Sequence, residues 1–356
     1  MKLLMLAAAS SVHVVRWANA FADRGIEVHL VTQHVPDPAI DPHVHIHRIP
    51  HFGGLGYLLN WRRVRSLVRQ ISPDLLNVHY ATGYGSLAHA VKGLPIVLNV
   101  WGSDVLLFPE KSTVHRSWLI GNLRKAALIV SSSRVMAQKV KEFVNGDIPV
   151  HVVPFGVDTE HFTPVDRTAE DDTLVLGTVK ALAPVYGIDV FLRALALVMN
   201  DPVNRKVRAL IAGGGLQDKE LRALASELRI ADKVEFLGAI PHASVPRILH
   251  RLDIYCALSR SESFGVSVIE ASACGLPVIV SDAGGLPEVV EHGVTGLVVP
   301  KEDPFAAAKA MQELISSASL RKRMGGAGRQ RVNDLYAWDR AVEKMLTLFR
   351  SVVRTA

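Results

Sequence analysis

Two acidic side chains eight positions apart, Glu262 and Glu270, flank a Phe-Gly pair in the stretch SESFGVSVIE at residues 261–270. The preceding run DIYCALS is apolar and strand-like, which puts Glu262 in the loop at a strand's carboxyl end. Glu270 then falls about two turns into a helix that starts near Phe264 or Gly265. Were the interval helical throughout, the two carboxylates would stand roughly 12 Å apart along the axis at 1.5 Å per residue. Between them lies a helix N-terminus, whose free N–H groups and positive dipole end suit a phosphate or diphosphate. A carboxylate on each side of an anion position fits a ligand with hydroxyls at both ends. A nucleotide sugar, with ribose, diphosphate and sugar in that order, is such a ligand.

Taken alone, such a pair reads as two solvated surface charges. Neighbouring features weigh against that. Gly265 permits close backbone approach at the helix start. The run ASACGLPVIVSDAGGLPEVV adds glycine turns at the end of the next strand, and IAGGG at residues 211–215, with Gly213 in its middle, ends another strand in a glycine loop. GTVKALAPVYGID, residues 177–189, places Lys180 at the carboxyl end of a further strand. An ammonium there can stabilise the charge that develops on a leaving phosphate as a glycosidic phosphate bond breaks. In isolation it would be a solvated lysine.

These side chains need strands that end together, and the chain supplies two sets. The opening MKLLMLAAASS has the basic residue and apolar run of a secretory leader. Val14, Trp17, Ala18 and Phe21 then fall at i, i+3, i+4 and i+7 before the strand-like EVHLVT, so residues 1–9 read as the first strand of a βαβ unit. PDLLNVHY, PIVLNVW, ALIVSSS and PVHVVPF continue the strands, with helical segments near 57–71, 84–91, 113–126 and 133–144. A polar stretch, DTEHFTPVDRTAEDDT at 158–173, reads as a linker. A second alternation follows it: TLVLGTV, VRALIAG, KVEFLG, DIYCALS, PVIVSD and GLVVP, with Ile188, Phe191, Leu192, Leu195, Val198 and Met199 forming the core face of one helix. The expected fold is therefore α/β, two doubly wound Rossmann-like domains facing across a cleft, over residues 1–162 and 163–337. The amphipathic closing helix 338–356, after a glycine-rich break at GGAGRQ, is expected to pack back on the first. Ligands belong at the carboxyl ends of such strands and, with two domains, in the cleft between them.

The 356 residues exceed one ordinary domain, and 49% apolar with 21% charged residues exclude a disordered chain. Cys256 and Cys274 each lie in an apolar segment, which argues against a disulfide framework and for a reducing, cytoplasmic compartment. No apolar run reaches the roughly 18 to 20 residues that span a bilayer.

With this context, ESFGVSVIE resembles the E-x7-E motif of the retaining family-four glycosyltransferases of the GT-B fold. The order and spacing of LIAGGG, VEFLGAIPH, DIYCALSRSESFG, EASACGLPVIVSDAGGLPEVV and GVTGLVV are similar too, while SSVHVVRWANAFADRGIEVHLVT and LNVWGSDVLL look like the acceptor-side domain. The resemblance implies that Glu270 hydrogen-bonds the donor's ribose and that Glu262 sits near the transferred sugar. Phe264, Gly265 and Val266 would give loop and backbone contacts to sugar and diphosphate, Gly213 would line the donor site, and Lys180 would contact the diphosphate. The LGAI stretch at 237–240, with Gly238 and Ile240, would hold the base, the donor being most simply a UDP-sugar. In one respect the chain departs from the pattern: many members carry a second cation before the helix glycine, where Tyr186 precedes Gly187 here. Lys180 then acts alone or an arginine from elsewhere completes the clamp.

On the acceptor side, Asp104 in WGSD and Ser11 and His13 in SSVH follow strands, and Asp104 or His13 is open as a general base. The resemblance also implies that the diphosphate itself helps take the acceptor's proton. No D-x-D occurs, so no divalent metal is expected on the diphosphate and no cofactor beyond the donor substrate. His43, His45 and His47 alternate as metal ligands would, but no Cys or acidic partner is near enough to make a site, and they read as a solvated strand face. Residues 1–163 hold 16 Lys and Arg against 11 Asp and Glu, a net +5 of the chain's +6. Arg62, Arg63, Arg65 and Arg69 share one helix with Trp61, Leu58, Leu59 and Leu67, as a helix docked on an anionic inner membrane face would. A plain surface helix has the same pattern. A lipid-linked or polysaccharide acceptor would suit such a surface. A nucleotide-sugar 2-epimerase shares the architecture and the donor, and a non-catalytic nucleotide-binding module is the remaining class. Nucleic acid is not an expected partner, since no aromatic-basic platform is present.

Overall fold

Short runs of branched apolar residues, too short for helices and bounded by turn residues, form two parallel sheets in the computed structural model, which describes residues 1–165, 173–204 and 206–355. The chain divides into two units, residues 1–154 with 341–356, and residues 155–340. Unit 1 holds β1 (Lys2–Leu6), β2 (Glu27–Thr32), β3 (His45–Arg48), β4 (Leu75–His79), β5 (Ile96–Val100), β6 (Leu128–Ser131) and β7 (Val150–Val152). Their order is β3-β2-β1-β4-β5-β6-β7, every pair parallel. Unit 2 holds β8 (Leu174–Val179), β9 (Val207–Ala212), β10 (Val234–Gly238), β11 (Ile254–Ala257), β12 (Val278–Ser281) and β13 (Gly296–Val299), in the order β10-β9-β8-β11-β12-β13.

Both sheets are doubly wound, as the alternating pattern requires, and each reverses its order beside its first strand. The switch lies at β1/β4 in unit 1 and at β8/β11 in unit 2. At such a point neighbouring loops leave the sheet in opposite directions and open a crevice at the strands' carboxyl ends. The helix Val12–Asp23 buries Val14, Trp17, Ala18 and Phe21 against unit 1. The helix Ile188–Met199 buries all six residues of its expected stripe in the core of unit 2.

Four local expectations change. GGAGRQ does not break the chain: the helix Ala318–Leu335 runs through it. Gly325 is there for contact, since a Cβ would stand 1.9 Å from the carbonyl oxygen of Gly275. The polar stretch at 158–173 is not all linker. Arg329 donates to the carbonyls of Thr159 (2.8 Å) and Phe162 (2.5 Å) and pins its first residues to unit 2, with Phe162 buried, while residues 166–172 lie outside the described residues. The segment 57–71 is two helices, Gly56–Leu59 and Trp61–Ile71, joined at buried Asn60, whose side-chain amide donates to Gly56 and Pro50 carbonyls. His43 is not in a strand, and only His45 and His47 belong to β3. The closing helix Trp338–Thr355 buries Val342, Met345, Leu346 and Phe349, with the Phe349 ring 5.2 Å from that of Phe21 and Glu343 on Arg24 at 3.0 Å.

Candidate functional site

The carboxyl ends of β8, β9 and β10 in unit 2 are locked backbone to backbone. Past β8, Lys180 N–H donates to Ala212 and Leu182 N–H to Gly214; past β9, Gly213 N–H donates to the Gly238 carbonyl at 2.8 Å. Gly213 has φ +150, and a Cβ would lie 1.8 Å from the Lys180 carbonyl oxygen, so the glycine loop is a close-packed wall behind Lys180. After β12 the Asp282–Gly285 turn does the same for the Glu262 loop. Gly285 N–H donates to the Glu262 carbonyl at 2.9 Å, and a Cβ on Gly284 would meet that oxygen at 2.0 Å.

This wall holds two charges together at the switch point. Lys180 Nζ donates to Glu262 Oε2 at 2.5 Å, with side chains only 9% and 13% exposed. Burial pulls the Lys180 ammonium down, but the Glu262 carboxylate beside it, with Tyr255 and Tyr186, holds it above the usual lysine value. The ammonium also lies 5.0 Å from the centre of the Tyr186 ring, so the residue in place of a second cation packs against the first. Arg260, in the same loop, is committed elsewhere: a bidentate pair to Asp189 (2.9 and 2.8 Å), Glu302 at 3.0 Å and the Pro184 carbonyl at 2.6 Å. It braces the Pro184–Tyr186 turn that carries the aromatic ring.

Gly265, at φ 107, caps the helix Val266–Ala273, which places Glu270 a little over one turn in rather than two. Glu270 is 5% exposed, and His242 Nε2 lies 2.9 Å from its Oε1. His242 has no role in the sequence reading. Its signal was VEFLGAIPH itself, since the loop that carries Gly238 and Ile240 also carries the imidazole onto Glu270. Val266 and Ile240 are half-buried; Phe264 is buried against Phe155 and Tyr336, so only its backbone is available to a ligand. Unit 2 therefore brings Lys180, Glu262, Glu270, Gly213, Gly238 and Gly265 to one end of its sheet.

Unit 1 treats its expected residues differently. Asp104 is 0% exposed, and its oxygens accept backbone N–H groups of Ala81 (2.8 Å), Gly102 (2.9 Å) and Trp101 (3.2 Å). A carboxylate so enclosed ties the loops after β4 and β5 together, its oxygens already engaged by three backbone donors. Burial raises its pKa against those hydrogen bonds. Ser11 precedes the helix Val12–Asp23 and His13 lies in its first turn, its ring edge-on to Trp101 at 5.8 Å. Trp101 also meets His79, whose ring is buried and, by burial and then by His13, held neutral with a pKa of about 3. His79, Asn77 and Asn99 form a buried polar cluster, with His79 Nε2 2.9 Å from Asn77 and Asn99 donating to Asn77. Tyr80 follows with φ 79, a strained conformation for a residue with a Cβ, and its hydroxyl lies 2.5 Å from that of Ser103. Periodicity gives no sign of such a residue.

Residues 162–331 match the family described as Glycosyl transferases group 1, and residues 2–133 match Glycosyl transferase 4-like. A D-inositol 3-phosphate glycosyltransferase of Actinosynnema mirum is 29% identical over 96% of this chain and 92% of its own length. An N-acetyl-alpha-D-glucosaminyl L-malate synthase of Bacillus anthracis is 24% identical over 94% and 91%. Among solved structures, sucrose-phosphate synthase from Thermosynechococcus elongatus superposes with a TM-score of 0.88 at 20% identity over all of both chains. The Anabaena protein HepE, in complex with UDP and glucose, does so with a TM-score of 0.81 at 21% identity over 99% and 100%. At these identities the structures share the fold.

Proposed function

From the group 1 glycosyltransferases of the GT-B fold, the family to which this chain belongs, we propose a retaining, metal-independent enzyme that moves a hexosyl group from a UDP-sugar to an acceptor at an anionic membrane surface. The observation that carries this reading is the Lys180–Glu262 pair at the β8/β11 switch point, with Glu270 buried one helical turn beyond. In the proposed reaction the bond from the anomeric carbon to the diphosphate breaks, and the acceptor oxygen bonds to that carbon on the same face. The acceptor's proton passes to the departing phosphate oxygen, which needs no protein base and agrees with the enclosed state of Asp104. Lys180 meets the negative charge of the leaving phosphate, and Glu262, released in part from Lys180, faces the positive charge at the anomeric carbon. Glu270 holds the ribose. The absence of D-x-D from the sequence supports the lysine and the helix N-terminus, rather than a metal, as the phosphate's partners.

The membrane part rests on unit 1. Arg62, Arg63, Arg65 and Arg69 are all exposed on the helix Trp61–Ile71, beside exposed Leu55, Leu58, Leu59 and Trp61. An apolar cavity of about 460 Å3 next to them is lined by Tyr57, Leu58, Trp61 and Trp118, a surface that suits an acyl or prenyl chain. The compounds in the names of the relatives, inositol 3-phosphate and L-malate, favour a second reading in which the acceptor is a small soluble anion.

The test is the anomeric configuration of the product by NMR, with rates measured with and without EDTA. We expect the donor's anomer in the product and a rate unchanged by chelator. An inverted product, or activity lost in EDTA and restored by Mg2+ or Mn2+, overturns the mechanism, and a changed sugar in donor-only incubations marks an epimerase instead.

A further inference from the structure

The edge of the first sheet carries a donor set that the sequence hides. Register pairs His29 of β2 with His45 of β3, and residues two apart share a face, so Glu27, His29, His45 and His47 stand together although 20 residues of chain separate the first from the last. The His29 ring lies nearly parallel to those of His45 and His47, with ring centres 4.8 Å and 5.2 Å away. Its Nε2 lies 3.0 Å from Glu27 Oε1 and its Nδ1 lies 2.9 Å from His47 Nε2. One ligand atom each from Glu27, His29 and His45 can be chosen with all three within 4.8 Å of one another. The acidic partner that the His43, His45 and His47 spacing lacked is therefore Glu27, supplied by the neighbouring strand. His43 lies outside the set, 89% exposed and bonded to Asp41 at 2.8 Å.

We propose that Glu27, His29 and His45 bind one borderline divalent transition ion, Zn2+ foremost, with His47 as the outer partner that orients His29. Two imidazoles and a carboxylate are the donors such an ion takes, at about 2.0–2.2 Å, with water free to fill a fourth position. Ligand atoms now as far as 4.8 Å apart must close to about 3.3 Å for a tetrahedron of that size, and the exposed Glu27 and His45 side chains have room to do so. With the ion on Nε2, the His29 proton sits on Nδ1 and donates to His47 Nε2, and the His47 proton moves to its own Nδ1. The two neutral rings therefore change tautomer without losing a proton, and His29 gains the outer hydrogen bond usual for a metal-bound imidazole. Glu27 must leave Lys2, 3.4 Å away, an exchange made cheap by the exposure of both groups.

The ion would staple the four-residue edge strand β3 to β2. These residues occupy the first positions of β2 and β3, the amino ends of the strands, whereas Ser11, His13 and Asp104 follow the carboxyl ends of theirs. The site is accordingly structural, and its removal by chelator is expected to lower the melting temperature without lowering the rate at moderate temperature.

Titration of tag-free full-length protein with Zn2+ by calorimetry, paired with melting curves, decides it. We expect one tight equivalent and a raised melting temperature. The tight equivalent should vanish in His29→Ala and in His45→Gln, the latter an exposed change that leaves the fold alone. His47→Ala should weaken it about 10- to 100-fold, as loss of an outer-shell partner does, and His43→Ala should leave it unchanged. Dissociation constants weaker than about 100 μM (only about −5.5 kcal/mol) in the wild type, or a tight equivalent that survives both His29→Ala and His45→Gln, overturns the proposal.

Discussion

The two units have the same winding and opposite electrostatics at the carboxyl ends of their strands. Unit 2 places an ammonium and a carboxylate, Lys180 and Glu262, side by side, each nearly buried and neutralised by the other. Unit 1 fills the equivalent ends of β4 and β5 with the neutral Asn77, His79 and Asn99, and surrounds its one carboxylate, Asp104, with backbone N–H groups. Buried charge is costly unless paired, so a pair kept at a strand end is ready to exchange partners when a charged ligand arrives. A buried neutral cluster shapes a loop and offers no charge to trade. On the proposed reading, the unit 2 switch point suits a diphosphate and the unit 1 switch point an uncharged group such as a hydroxyl.

The largest expected effect breaks the charged pair. Glu262→Gln should lower kcat by about 30- to 1000-fold, equivalent to roughly 2–4 kcal/mol of barrier. Because the carboxylate also occupies Lys180, the change should free the ammonium for phosphate, so nucleoside diphosphate should bind more tightly than to wild type. Glu270→Gln should do the reverse, weakening nucleoside diphosphate and donor together and raising the donor KM. Calorimetry with UDP and initial rates on both variants check this. Equal loss of diphosphate affinity in the two, or full activity in Glu262→Gln, would show that the carboxylates do not divide the donor in this way.

Much of this arrangement was legible because it follows from period and punctuation. Apolar runs and glycine turns gave the strands of unit 2 and put Lys180 and Glu262 at strand ends. They could not give the pairing of Lys180 with Glu262, 82 residues apart, because adjacency of β8 and β11 is a property of the sheet. The same holds for His242 on Glu270 and for Glu27 beside His29 and His45. The surroundings of Asp104 were hidden for a different reason: a strand-end carboxylate looks alike in sequence whether it faces solvent or backbone amides, and here three N–H donors come from two loops. The glycines of GGAGRQ misled because helix propensity prices a lone helix, whereas Gly325 answers to the backbone packed on it.

The smaller effect of Asp104→Asn sharpens the contrast from the unit 1 side. The amide keeps one acceptor oxygen and turns an NH2 group toward backbone donors, so stability should fall by roughly 1–3 kcal/mol. Urea unfolding reads the loss. If Asp104 holds loops and takes no proton, kcat of the folded variant should stay within about threefold, less than 1 kcal/mol of barrier. A kcat collapse with unchanged stability would place Asp104 in the reaction.

The smallest expected effect per residue concerns the charge that unit 1 carries outside its switch point. Residues 1–154 with 341–356 hold 19 Lys and Arg against 10 Asp and Glu, a net +9, and four arginines of the helix Trp61–Ile71 are exposed, the Arg62 guanidinium lying 5.1 Å from the Trp61 ring centre. An arginine near an anionic bilayer contributes at most about 1 kcal/mol, and the attraction dies within a Debye length of roughly 8 Å at physiological salt. Arg63→Gln should therefore weaken binding to phosphatidylglycerol vesicles by no more than about fivefold, and wild-type binding should fade as salt rises. Trp61→Ala removes apolar contact instead, so its loss should persist at high salt where that of Arg63→Gln disappears. Co-sedimentation across a salt series separates the two variants. Wild-type protein that stays in the supernatant at low salt would remove the membrane from the reading and leave a small soluble acceptor, with the positive charge of unit 1 then serving to draw that anion to the neutral switch point.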